Sequence, residues 1–236
     1  MNSKDKILFD YYQNVYNEYL FGKSLQARGI VYFEKQLERF WQKNHGEFGK
    51  VNCLEIGAGN GEHLKYVDFS NIEKYTCLDL REARPESIGI DSNYLEQNHI
   101  NFIVGNAQAI PFAVNSFDRV LATCLLHHVD EPLQVMLEAR RVTKPLGEIA
   151  YIIPTDPGLL NRTVKTIISN RKIRTLTDVD PKLIYALEHK NHIGGLIQLL
   201  KFAHQHDRIQ MRFLPFRVKS WNLNLLVAAH IIKSEN

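Results

Sequence analysis

Val51-Asn52-Cys53-Leu54-Glu55-Ile56-Gly57-Ala58-Gly59-Asn60-Gly61-Glu62-His63 decides the fold. The apolar run up to Ile56 reads as a buried strand. It breaks into three alternating glycines, and Leu64, Tyr66 and Val67 then recur at helical spacing. A strand, a glycine turn and a helix open a nucleotide-binding α/β domain. Glycine suits a backbone that turns sharply or lets a ligand lie against the main chain. The spacing is G-x-G-x-G. Glu62 stands where the dinucleotide fingerprint wants its third glycine.

The second strand reads Lys74 to Asp79 and ends in an acid about twenty residues past the glycines, where a carboxylate can accept from both hydroxyls of a ribose. Leu80 follows and could lie against an adenine. Arg84 to Asn98 is less regular, with a short helix expected near Ser92 to Asn98. Ile100 to Val104 reads as a third strand, followed by Gly105-Asn106-Ala107-Gln108-Ala109-Ile110-Pro111-Phe112. A fourth strand reads from Phe117-Asp118-Arg119-Val120 to Cys124. Leu125-Leu126-His127-His128-Val129-Asp130 follows it, with Asp130 expected to cap a helix through Leu133, Met136, Ala139 and Val142. Arg141-Val142-Thr143-Lys144-Pro145-Leu146-Gly147-Glu148 reads as a turn before a fifth strand, Ile149 to Ile153.

The form E-x-G-x-G-x-G resembles motif I of the class I S-adenosylmethionine (SAM) methyltransferases. The stretch from Gly105 to Phe112 resembles the G-D-A-x-x-L-P-F signature of their UbiE-like branch, with Asn106 in place of the aspartate. The L-H-H-x-D run and the R-V-L-K-P-G-G turn, with Leu146 for its first glycine, are further signatures in the same order. The resemblance spans about Val51 to Ile153. It implies a Rossmann-like, seven-stranded, mostly parallel sheet with helices on both faces and an antiparallel last strand inserted between the fifth and sixth. It implies SAM as cofactor, held by Glu55, Gly57, Ala58, Gly59, Gly61, Asp79, Leu80, Asn106, Ala107 and Cys124. Arg28, beside Gly29, could reach the SAM carboxylate. An amide oxygen on Asn106 could still meet the adenine amino group.

The chain has 236 residues, 44% of them hydrophobic, and a formal charge of +3. That suits one domain and is too mild to point to nucleic acid. Cys53, Cys77 and Cys124 lie in apolar runs without C-x-x-C spacing, so neither a zinc site nor a disulfide framework is expected. No signal peptide or spanning apolar run is evident, which leads to the expectation of a soluble, cytoplasmic chain with no integral membrane segment.

Residues 1–46 are expected to form an N-terminal helical cap, with a second helix through Val31, Phe33, Leu37, Phe40 and Trp41. Residues 47–236 form the SAM-binding domain, with a lid-like insertion at about 155–205. Within it, Arg162, Lys165, Arg171, Lys172 and Arg174 stand against Asp178 and Asp180. They read either as a solvated face or as a lid attracting an anionic acceptor. Ile209 to Phe216 reads as a sixth strand and Ser220 to Ile232 as a seventh.

Methyl transfer from a sulfonium needs the nucleophile held in line and water excluded, and needs no metal. An oxygen or nitrogen acceptor must lose a proton. His127, His128 and His189 are the candidate bases. His189 and His192 could share a helix face but lack the H-E-x-x-H carboxylate, so no metal site is expected. The implied function is methyl transfer from SAM to a small molecule or to a sugar or lipid precursor. The competing readings are a SAM-binding partner protein without catalysis and a nicotinamide-dependent oxidoreductase.

Overall fold

The computed structural model describes residues 31–39, 49–164, 166 and 180–235. Seven strands form one sheet in the order β3-β2-β1-β4-β5-β7-β6. They are β1 (Val51–Ile56), β2 (Ile72–Asp79), β3 (Ile100–Val104), β4 (Phe117–Thr123), β5 (Thr143–Pro154), β6 (Arg208–Leu214) and β7 (Leu226–Ile232). The first five run parallel, and β7 lies antiparallel between β5 and β6, as expected from the sequence. Around them lie helices α1 (31–39), α2 (Ser92–Gln97), α3 (Pro132–Val142), α4 (Leu159–Val164), α5 (Pro181–Glu188) and α6 (Ile193–Ala203).

Alternation along the strands sorts side chains between the two faces. Leu54, Ile56, Val120, Ala122, Ile149, Tyr151, Val227 and Ala229 join one core, filled by Val135, Met136 and Ala139 of α3 and by Leu196, Ile197 and Leu200 of α6. Val51, Cys53, Tyr75, Cys77, Leu121, Ala150 and Ile152 join the other, with Leu37 of α1. At about 25 cal/mol per Å² of apolar surface, burial of this kind is the main stabilising term.

Several expectations change. The helix after the glycines is a single 3-10 stretch, Glu62–Tyr66, with extended backbone already at Val67. Residues 57–71 join β1 to β2, and two 3-10 stretches, Glu62–Tyr66 and Phe69–Asn71, stand in the crossover in place of an α-helix. Asp130 does not cap α3. The helix starts at Pro132 with Glu131 as cap residue, while Asp130 pairs with Lys190 at 2.6 Å. The expected turn at 141–148 lies largely inside β5, and Leu146 takes φ 61° there, the left-handed value for which glycine is suited. The alternation at Trp221 and Leu223 belongs to a 3-10 turn, not to β7. Asn224, fully buried, fixes that turn. Its Oδ1 accepts from Phe216 N, and its Nδ2 donates to the carbonyls of Val218 and Ser220.

The supposed lid at 155–205 takes in α6, whose apolar face belongs to the main core. Lys165, Arg171, Lys172, Arg174 and Asp178 lie outside the described residues, as do Arg28 and the first part of the N-terminal cap. Among the described residues, no helix is long and apolar enough to cross a membrane.

Candidate functional site

Two groups of loops meet at the carboxyl ends of the parallel strands, where open α/β sheets bind ligands. The first is the glycine loop. Leu78, near the end of β2, accepts from Gly57 N at 2.7 Å and Ala58 N at 3.2 Å, so the loop is tied to the neighbouring strand. Gly57 has φ +72°, and a Cβ there would sit 2.7 Å from Leu125. Gly61 has φ +90°, and a Cβ would meet Leu64 at 2.7 Å and Phe102 at 2.9 Å. Packing and backbone conformation thus require both glycines. The positive φ at both positions is the backbone requirement the glycine turn was expected to meet.

Asp79 ends β2 and is held from both sides. Its Oδ2 accepts from Gly59 N at 2.9 Å, and its Oδ1 accepts from Arg81 N at 3.0 Å. The carboxylate therefore has a fixed direction and can still accept from a diol. Leu80 is 72% exposed beside it. Asn106 is exposed, and its Oδ1 accepts from Gln108 N at 2.9 Å, so the oxygen shapes its own turn first. Ala107 is half-buried against the main core. Ala58 is buried. Cys124 is half-buried with φ +52°, and burial pushes its thiol up to about 12, so it is no nucleophile.

Glu55 is placed differently from the expectation. It is 1% exposed, and its Oε2 accepts from Tyr75 Oη at 3.0 Å. It supports the loop from beneath. Burial, reinforced by Glu34, pushes its carboxyl up to about 7 against the pull of His63 and Tyr75.

Beneath the loop runs a buried chain of charges that sequence reasoning missed. His63, just past the glycines, has Nδ1 on Glu34 and Nε2 on Glu38 at 3.0 Å. Arg119 of β4 donates through both terminal nitrogens to Glu38, at 2.7 and 3.2 Å. Arg119 Nε stands 4.0 Å from Glu148, and Glu148 meets His230 at 3.0 Å. Burial alone would raise the Glu38 carboxyl, but Arg119 and His63 hold it down at about 2. Burial would lower His63, yet Glu34 and Glu38 outweigh it and hold the imidazolium well above the ordinary histidine value. The available signal was the i, i+4 pair of acids at 34 and 38, facing inward-phase charges in otherwise apolar strands.

The second group joins three turns. His127 and His128 follow β4, Asp156 follows β5, and His189 follows α5. The carbonyl of His127 accepts from Lys190 N at 2.8 Å and Asn191 N at 3.2 Å. Asn191 Nδ2 donates to the carbonyls of Leu126 and Val129. Ile193 N bonds to Asp156 O at 3.0 Å. These bonds bring all three candidate bases together, although 61 residues separate His128 from His189 in the chain. The ring centroids of His127 stand 3.8 Å from His128 and 4.6 Å from His189. His189 pairs with Asp156, not with the adjacent Glu188, while Glu188 turns to His128. His192, exposed at the start of α6, is not part of the group.

Residues 54–151 match the model of the methyltransferase domain family. The chain is 32% identical over 107 residues to demethylmenaquinone methyltransferase of Bacillus velezensis, covering 45% of this chain and 41% of that one. It is 30% identical over 112 residues to 27-O-demethylrifamycin SV methyltransferase of Amycolatopsis mediterranei, again 45% and 41%. The chain thus spans about two fifths of the length of these curated relatives. Its fold is similar to that of the 1,6-didemethyltoxoflavin-N1-methyltransferase of Burkholderia thailandensis, at TM-score 0.60 and 14% identity over 99% of this chain and 92% of that one. That protein was solved with 1,6-didemethyltoxoflavin and S-adenosylhomocysteine bound.

Proposed function

We propose that this chain, which carries a class I, UbiE-like methyltransferase domain, moves a methyl group from SAM to an oxygen or nitrogen of a small molecule or of a sugar or lipid precursor. The observation that carries the reading is Asp79, fixed between the amides of Gly59 and Arg81 at the end of β2. A carboxylate held there suits the ribose hydroxyls of the donor. Gly57, Gly59 and Gly61 shape the loop that passes the donor's amino-acid part, while Leu80, Asn106 and Ala107 border its adenine.

Ordinary in-line displacement needs positioning above all. The histidine group stands at the end of β4, next to the glycine loop that Leu125 touches. Nδ1 of His128 faces the carbonyl of Glu188, which can only accept, so the proton sits on Nδ1. Nε2 then carries a lone pair able to take the acceptor's proton. The same holds for His189 with Asp156.

Calorimetry with SAM and with NAD, followed by donor turnover on hydroxyl- and amine-bearing acceptors, tests the reading. Binding of SAM and not NAD, with turnover on at least one acceptor, is the expected result. Binding of NAD in preference to SAM overturns it. SAM binding without turnover on any acceptor favours the partner-protein alternative.

A further inference from the structure

We infer that the turn between β6 and β7, together with the start of α4, forms a docking face for a lipid bilayer that carries anionic headgroups. Phe216, Val218, Trp221 and Leu223 fall within eight residues and are each between 40% and 63% exposed. Leu159, the first residue of α4, is 63% exposed. Single exposed apolar side chains are ordinary. Several on one turn mark a surface that meets a partner.

The two segments abut. Leu159 N donates to Asn222 Oδ1 at 3.2 Å, and a Cβ added to Gly158 would sit 2.5 Å from the Trp221 carbonyl oxygen. The turn is also preformed. Buried Asn224 holds the backbone at Phe216, Val218 and Ser220, so docking has little left to order. Strand register places the face. Leu214 at the end of β6 pairs with Leu226, and Leu226 pairs with Pro154 at the end of β5. The turn therefore leaves the sheet at the end from which Asp156 and α4 also emerge.

Charge names the partner. Arg217 and Lys219 alternate with the apolar residues of the turn, Arg162 lies on α4, and all three are exposed. From Arg208 to Ser234 the sequence holds five Lys and Arg residues, no Asp and no Glu. Asp156 precedes α4 but is paired with His189. Apolar side chains among the headgroups, a tryptophan at their boundary and cations kept at the phosphates make an interfacial anchor. Anionic lipid adds about fivefold in partitioning for each cation near the surface. A second copy of the chain suits the face less, because a two-fold contact lays a surface on itself and would bring these cations together. The face goes beyond the methyl-transfer reading and does not rest on it.

Sedimentation of the full chain with sucrose-loaded vesicles gives the test, with phosphatidylcholine alone and with about 30% phosphatidylserine added. SAM binding is measured on the same samples, and sedimentation velocity without lipid reports self-association. The anionic vesicles should bind at least about tenfold more tightly than the neutral ones, and added salt should weaken that binding. Phe216→Ala with Trp221→Ala should cut it about tenfold or more through lost apolar burial. Arg217→Gln with Lys219→Gln should cut it about 10- to 30-fold. Since all four side chains are exposed, both double variants should keep the wild-type Tm and SAM affinity. No binding by the wild type, equal binding to the two compositions, or binding that either double variant keeps unchanged overturns the assignment. So does self-association that Phe216→Ala with Trp221→Ala abolishes, which would make the face a contact between copies. SAM binding that persists while vesicle binding fails would remove only the docking face.

Discussion

Two histidine-bearing clusters, one beneath the glycine loop and one after β4, have opposite characters. His63 is wedged between two carboxylates with both ring nitrogens engaged. It is buried, and its charge is fixed by Glu34 and Glu38. His128 and His189 each have Nδ1 held by a partner outside the histidine group, the Glu188 carbonyl and the Asp156 carboxylate. The first arrangement spends every donor on structure. It fastens α1 to the segment that follows the glycine loop. The second lies at a partly open place, with the His128 side chain 35% exposed. The same residue type is thus a fastener in one region and a chemical group in the other, and its partners decide which.

The comparison breaks most readily at Glu38. Glu38→Ala leaves the fully buried Arg119 without its bidentate partner. Loss of one member of a buried ion pair costs about 3–5 kcal/mol, so urea unfolding should show a fall of that size. A loss within about 1 kcal/mol would mean that the buried chain does not fasten α1. His128→Ala should do the reverse. Its half-buried side chain predicts little change in unfolding, while acceptor turnover falls about 100-fold or more and SAM affinity stays as it was. Equal turnover in that variant would reduce the histidine group to packing.

Glu55 sharpens the contrast through pH. Its folded carboxyl is raised to about 7 from an ordinary 4.5. The folded state therefore holds the proton that the unfolded state releases. The stability contribution is complete below 4.5 and is lost as pH rises through about 7. Glu55→Gln should flatten that part of the Tm-against-pH curve, and a curve parallel to wild type would exclude Glu55 as its source. The smallest effect belongs to Leu146, which touches neither cluster. It holds φ 61° while 59% exposed. Leu146→Gly should relieve the left-handed strain and raise stability by about 0.5–1 kcal/mol after the entropy cost of glycine. A loss of stability would show that the side chain contributes more than its exposure implies.

Much of the sheet was legible because its signals are local. An apolar run into alternating glycines, an acid at the end of the second strand, and F-D-R-V into apolar residues each announce an element within a dozen positions. Boundaries failed where a long-range partner intervened. Asp130 was drawn from its capping position to Lys190, and the alternation of Trp221 and Leu223 yielded to the turn that Asn224 fixes. Both clusters were less visible. Candidate bases could be named singly, but their meeting depends on the stitching of His127 to Lys190 and Asn191 across more than sixty residues. The chain from Glu34 to His230 crosses α1, the glycine segment, β4, β5 and β7. Only the sheet order brings those elements together.

The most direct measurement is a calorimetric titration of SAM into wild type and Asp79→Ala. With the fold intact by circular dichroism, the variant should bind about 1–3 kcal/mol more weakly, the loss expected for an unmet pair of hydroxyl donors. Equal affinity in the two proteins, or no SAM binding by the wild type, would contradict the account.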